Sequence, residues 1–218
     1  MRILLFGPPG VGKGTQADLL ATKYNLIKFS MGDILREEMS LNSPLGNELE
    51  DYVKNGNLVP DGVILELVKD FLLENSDANI LFDGFPRNLN QALSLEQSLA
   101  QLNMSLDIAI EMHLSEDEIV KRLQNRRQCS NCGRIYNSLT NPPKKDDLCD
   151  NCSKKLIKRI DDDVAVIKRR LRVYEEETRP LSDYYRSLNI YKQVDVSGFQ
   201  EEVFKKISST IDGYINKK

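Results

Sequence analysis

Apolar positions along this 218-residue chain gather in short runs, and between them the spacing turns helical. The first run, Ile3-Leu-Leu-Phe6, breaks into Gly7-Pro-Pro-Gly10-Val11-Gly12-Lys13-Gly14-Thr15 and then an amphipathic stretch over 16–24. That pattern predicts strand, loop and helix. Residues 26–30 predict a second strand, and Met31 opens a helix. From 31 to 75 the pattern stays helical, punctuated at Ser43-Pro44, Asn55-Gly56 and Pro60-Asp61, with Asp61 placed as an N-cap. Three helical segments exceed what one crossover needs, so part of 30–59 is expected to leave the sheet as a helical insert. Residues 79–83 predict a third strand, and 106–114 a fourth in which the lone His113 reads as a core residue. Ser115-Glu-Asp-Glu118 has the spacing of a capping box, starting a helix to about residue 127. A helical pattern returns at 162, breaks at Pro180 and resumes to 188; 190–196 predicts a fifth strand and 199–215 a closing helix. Strands alternating with helices imply an α/β fold around a parallel sheet.

Charge narrows the partners. Asp and Glu number 33 against 30 Lys and Arg, a balance that argues against general affinity for nucleic acid. The chain has no apolar run of membrane-spanning length and no targeting pattern, so a cytoplasmic protein without a membrane partner is expected, as a monomer.

Between 128 and 158 the composition shifts to Asn, Lys and four cysteines. Cys129-Ser-Asn-Cys132 and Cys149-Asp-Asn-Cys152 form two C-x2-C pairs separated by sixteen residues. Each pair makes a thiolate knuckle, and two knuckles close a tetrahedral Zn²⁺ shell with no open position, a structural site. Intracellular cysteines seldom pair as disulfides, and free thiols would not fall at two matched spacings. Metal ligation would then fold a segment too polar to fold itself.

The glycine loop is where anion chemistry enters. Glycines permit positive φ and bring bare backbone N–H groups against phosphate, the helix N-terminus adds partial positive charge, and Lys13 adds a full one. The match to G-x-x-x-x-G-K-[ST] departs at Gly14, with the hydroxyl one place later at Thr15. Arg36, Arg87, Arg122 with Arg126, Arg159 and Arg170 fall near predicted ligand edges. A lone arginine is usually a solvated surface residue, but two phosphate chains brought together require planar, multidentate donors. Asp83, closing a strand on the same edge, suits Mg²⁺ or its waters; the alternative is a turn cap.

These motifs together resemble the adenylate kinase family, in the long form whose lid carries zinc. The resemblance covers essentially the whole chain, through Gly7 to Thr15, Gly32-Asp33 with Arg36, Asp83-Gly-Phe-Pro-Arg87 with Gln91, Arg126 through the cysteines to Arg159, and Asp161 to Arg170. The displaced Thr15 hydroxyl matches that family's phosphate loop. The resemblance implies a P-loop core of five parallel strands (1–29, 60–125, 164–218), a helical nucleoside-monophosphate insert (30–59) and a zinc lid (126–163). It implies that Gly10, Val11, Gly12, Lys13, Gly14 and Thr15 hold donor phosphates, that Arg122 stacks on the donor base, and that Ile135, Tyr136 and Gly198 line that base's site. Met31, Arg36, Asn57, Leu58, Val59, Gly84, Phe85, Pro86, Arg87 and Gln91 would hold AMP, Gln91 reading the adenine edge. Arg126, Arg159 and Arg170 would clamp the phosphates. Met31 stands where bacterial members commonly have Thr, and Val196 replaces a usual Gly after Asp195; both bear on base contacts rather than on phosphates.

The reaction so implied is phosphoryl transfer from MgATP to AMP, giving two ADP. Neighbouring readings are a kinase using GTP, or one acting on UMP or CMP. A regulatory P-loop switch would need a guanine-reading N-K-x-D element, which is not found here. A zinc-ribbon nucleic-acid-binding module is disfavoured by the acidic balance.

Overall fold

The computed structural model describes residues 1–41 and 43–216. Residue 42, inside the expected 30–59 insert, and residues 217 and 218, at the end of the expected core, lie outside the described residues. The chain forms β1 (Arg2–Phe6), α1 (Lys13–Tyr24), β2 (Ile27–Ser30), α2 (Met31–Ser40), α3 (Pro44–Lys54) and α4 (Asp61–Glu74). Next come β3 (Ile80–Asp83), α5 (Leu89–Gln101), β4 (Ile108–His113) and α6 (Glu116–Gln124). Three short strands follow, β5 (Arg126–Cys129), β6 (Ile135–Asn137) and β7 (Leu156–Ile157), then α7 (Val164–Val173) with a π-helical turn over Tyr174–Thr178. The chain closes through α8 (Leu181–Ser187), β8 (Tyr191–Asp195) and α9 (Gln200–Ile215).

Five strands pair in parallel in the order β2-β3-β1-β4-β8. The first strand of the chain is therefore central, with β3 and β4 on either side. Alternation along it sends Leu4 and Phe6 into one apolar layer and Ile3 and Leu5 into the other. Helices on both faces complete those layers, which is why the strands read as continuous apolar runs rather than alternating ones. Leu35 of α2, Leu49 of α3 and Val68 of α4 pack on the Leu4 side, while Leu20 of α1 and Ile207 of α9 pack on the Ile3 side. The α/β class and its parallel five-stranded sheet match the expectation.

Local details differ from the sequence reading. The helix after β4 ends at Gln124, not near 127, because Arg126–Cys129 instead pairs antiparallel with both β6 and β7 in a second sheet. Ser115 does not complete the expected capping box; its hydroxyl donates to the Glu118 carboxylate at 3.1 Å. Asp61 is the first residue of α4 rather than its cap, and its carboxylate faces Asn88 and Gln91. His113 is exposed, not core: it is the last residue of β4, where the sheet's carboxyl edge opens. A strand position that does bury a polar side chain is Glu111, whose carboxylate accepts from Tyr174 (3.0 Å), Ser182 (2.8 Å) and the Tyr191 hydroxyl.

Candidate active site and metal centre

Every parallel strand delivers its following loop to one edge, the usual ligand edge of an open α/β sheet. The loop after β1 is held there by close packing. An added Cβ on Gly7 (φ +143°) would lie 2.4 Å from the Met112 carbonyl oxygen, and one on Gly10 (φ +80°) 2.5 Å from Leu123 Cγ. Neither position tolerates a side chain, on steric and conformational grounds together. Arg122 braces the same loop: its guanidinium donates to the Val11 carbonyl at 3.3 Å and the Val196 carbonyl at 3.0 Å. Both terminal nitrogens of Arg122 are thus turned to backbone carbonyls.

A cleft of about 880 Å³, its solvent mouth included, lies along this edge. It brings together Lys13, Arg36, Asn57, Leu58, Gly84, Pro86, Arg87 and Arg170 from the sequence-derived set. A smaller apolar pocket adjoins it at Arg87, lined in part by Met31, Val59 and Gln91. Phe85 does not face the cleft; its ring is buried in the core, edge-on to Phe29. Tyr136 likewise turns inward among the cysteines, so what it can offer a ligand is backbone. Ile135 is half-buried beside it, and Gly198 carries φ +102° just after β8.

The cations in and around the cleft are crowded, although Arg126 and Arg159 do not line it. Lys13 Nζ donates to the carbonyls of Gly7 (2.7 Å) and Pro8 (2.9 Å). Desolvation lowers its pKa from 10.5 to about 7; Asp83 resists the shift, and Arg87, Arg170 and Arg126 add to it. Desolvation, then Arg170, lowers Arg87 to about 10, and desolvation with Arg126 and Arg36 lowers Arg159 to about 9. Arg170 is lowered too, chiefly by desolvation. Arg126 forms a two-pronged pair with the fully buried Asp162, at 2.8 and 2.6 Å, and Arg170 meets Asp161 at 2.8 Å. Burial disfavours the Asp161 anion, but Arg170, Arg126 and Arg159 outweigh it and hold its pKa low. Arg159 donates to Gln128 at 2.6 Å. Asp83 is buried with its pKa raised, desolvation exceeding the pull of Lys13. It lies against Gly14, whose added Cβ would sit 3.4 Å from Oδ2. A buried carboxylate beside a phosphate loop, whose desolvation Lys13 only partly offsets, suits a divalent cation or its waters.

Sequence reasoning gave Asp162 and Thr178 no role and read Asp61 only as a helix cap. Thr178 donates to the Arg87 carbonyl at 2.6 Å from the π-helical turn, a feature often found at functional sites. Asp162 is one of three consecutive aspartates, and nothing in that run marks Asp161 and Asp162 as buried and Asp163 as exposed.

The four cysteine sulfurs lie within 4.8 Å of one another, with Cys129–Cys152 at 3.4 Å and Cys132–Cys149 at 3.5 Å. Tetrahedral Zn–S bonds of about 2.3 Å place sulfurs roughly 3.8 Å apart, so the cluster has the size of a zinc shell. The Asn131 and Cys132 amides point at Cys129 Sγ (3.4 and 3.5 Å). Burial opposes ionisation of Cys149, yet hydrogen bonds from the Tyr136 hydroxyl and from the Cys152 and Asn151 amides prevail and bring its pKa to about 6. N–H and O–H groups donating to the sulfurs are what a thiolate cluster needs.

A central strand running into a glycine-lysine loop, faced by converging guanidinium groups, defines a P-loop phosphate-binding protein. The family model for adenylate kinase matches residues 5–190. Similar curated proteins include the adenylate kinases of Hydrogenobaculum sp. (46% identity over 211 residues; 97% of this chain, 100% of the relative) and Thermodesulfovibrio yellowstonii (41% over 213; 97% and 99%). That of Archaeoglobus fulgidus is 40% identical over 213 residues, 97% of this chain and 98% of its own. The chain belongs to the adenylate kinase family. Among the described residues, no helix is long and apolar enough to cross a membrane.

Proposed function

We propose that the protein transfers a phosphoryl group reversibly from MgATP to AMP, giving two ADP. The observation that carries this reading is the crowding of Lys13, Arg87, Arg159 and Arg170, whose pKa values are lowered by burial. Such an assembly is completed by polyanions, and two phosphate chains meeting end to end supply them. Backbone amides from Gly10 to Thr15 and Lys13 hold the donor phosphates. Arg36 and Arg87 hold the acceptor phosphate, with its base toward Met31, Val59 and Gln91, and Arg126, Arg159 and Arg170 close over the junction. No side-chain base is required, because a phosphate monoester with second pKa near 6 is largely dianionic at neutral pH. Rate comes from in-line positioning and from neutralising the oxygens of the transferred group. Asp83 and Thr15 would hold Mg²⁺ arriving with the nucleotide, which supplies further neutralisation of the phosphates. Four thiolates would hold structural zinc in the 126–163 segment, which we read as a lid that excludes the rival nucleophile, water. Segment 30–59 is read as the acceptor-side insert.

The test is a coupled assay of ADP formation from ATP and AMP, with GTP as donor and UMP and CMP as acceptors run in parallel. Rapid turnover with ATP and AMP is expected. Nucleotide binding without ADP formation would refute the reading, and preference for another pair would reassign it within the kinases.

A further inference from the structure

Gln91 is buried and lines the small apolar pocket next to Arg87. Its amide is held at both ends. Oε1 accepts the Arg87 N–H at 2.8 Å, and Nε2 donates to Asp61 Oδ1 at 2.7 Å. A backbone N–H can only donate and an ionised carboxylate can only accept, so chemistry itself assigns which end is oxygen and which nitrogen. Asp61 is steadied in turn. Asn88 Nδ2 donates to its carboxylate at 3.1 and 3.4 Å, while Asn88 Oδ1 caps α5 by accepting the Gln91 N–H at 2.8 Å. The result is a closed ring of Gln91, Asp61 and Asn88 outside the phosphate-binding machinery.

After these bonds Gln91 keeps one amide hydrogen and one carbonyl lone pair, side by side. That pair complements a base edge with a ring-nitrogen acceptor beside an exocyclic amino donor. A 6-oxo purine presents the reverse, a ring N–H beside a carbonyl. To meet it the amide would have to flip, setting its oxygen against the Asp61 carboxylate and its NH₂ against the Arg87 N–H. Two hydrogen bonds would become two repulsions, each costing roughly tenfold or more in affinity.

We propose that Asp61 is a positioning residue for base selection: by accepting one Gln91 amide hydrogen, it locks the orientation in which Gln91 selects 6-amino over 6-oxo purine acceptors. This rests on the proposed reading that the pocket receives the acceptor's base. Asp61 has no place in phosphate binding or transfer, so its loss acts on the acceptor KM rather than on kcat.

The experiment measures kcat and KM for AMP and for IMP, with ATP as donor, in wild type, Asp61→Ala, Asp61→Asn and Asn88→Ala. In Asp61→Ala the AMP-to-IMP ratio of kcat/KM is expected to fall at least tenfold, through KM. Asp61→Asn retains an acceptor oxygen and should keep more of the ratio, and Asn88→Ala should fall between. A ratio within twofold of wild type in Asp61→Ala overturns the proposal, as does an equal loss for both acceptors. If Asp61→Ala fails to fold, an unchanged ratio in both other variants overturns it. Wild-type protein that does not phosphorylate AMP would remove the proposed function instead, whereas active wild type with an immovable ratio removes Asp61 alone.

Discussion

Leu4, Leu5, Phe82 and Ile110 of the parallel sheet are completely shielded from solvent, and each is surrounded by other buried apolar side chains. In the three-stranded sheet of the cysteine segment, the buried cluster is Cys129, Tyr136, Cys149 and Leu156. The contrast is energetic. Burying one large apolar side chain contributes about 1.5–3 kcal/mol, while ordering one residue's backbone costs about 1–2 kcal/mol. Tyr136 and Leu156 alone cannot order the segment around them. The proposed zinc would contribute about 10–16 kcal/mol, and that can. On the proposed zinc reading, one sheet is held by exclusion of water and the other by ligation, so each should fail under a different insult.

The sharpest separation is expected from Lys13→Met. It should lower turnover on the order of 10²–10³-fold by removing one charge from the phosphates, while thermal melting stays within a few degrees. A matching loss of stability would mean that the cleft's cations support the core. Next, Leu81→Ala opens a cavity in the parallel sheet and should cost about 2–5 kcal/mol in denaturant unfolding, with zinc content by metal analysis unchanged. Chelation, or Cys149→Ser, should do the reverse. It should release about one zinc per chain and unfold the cysteine segment, while the main transition moves by no more than roughly 3 °C, about 1 kcal/mol at this size. Loss of both sheets in a single transition would erase the distinction.

The smallest effect is a proton. In the unfolded chain Lys13 titrates near 10.5, and in the folded, ligand-free cleft near 7. Between those values the unfolded chain holds more protons, so through Lys13 the ligand-free protein gains stability as pH rises from about 7 toward 10.5. Bound phosphate restores the ammonium, so nucleotide binding at pH 7 should take up about half a proton. Calorimetry in buffers of different ionisation heat checks this, and Lys13→Met should abolish the Lys13 share.

The parallel strands were readable because they are buried on both faces: Ile3-Leu-Leu-Phe6 needs no partner to announce itself. The glycine loop and cysteine pairs were readable because local spacing carries their chemistry. Arg126–Cys129 was not, since a polar strand is defined by the two strands it pairs with. The same holds for Glu111, whose hydroxyl partners lie 63 to 80 residues away, and for Asp61, whose partners lie 27 and 30 residues away. Local pattern also cannot say that His113 falls where the helices no longer cover the sheet.

The Arg126–Asp162 pair has one more consequence. Arg126 stands where the chain departs into the cysteine segment and Asp162 where it returns, and the two meet at 2.6 Å. The excursion therefore starts and finishes at one clasp, much like a cassette in a socket. A change in the length of what lies between would leave both ends in place, and the doubly wound body would keep its register.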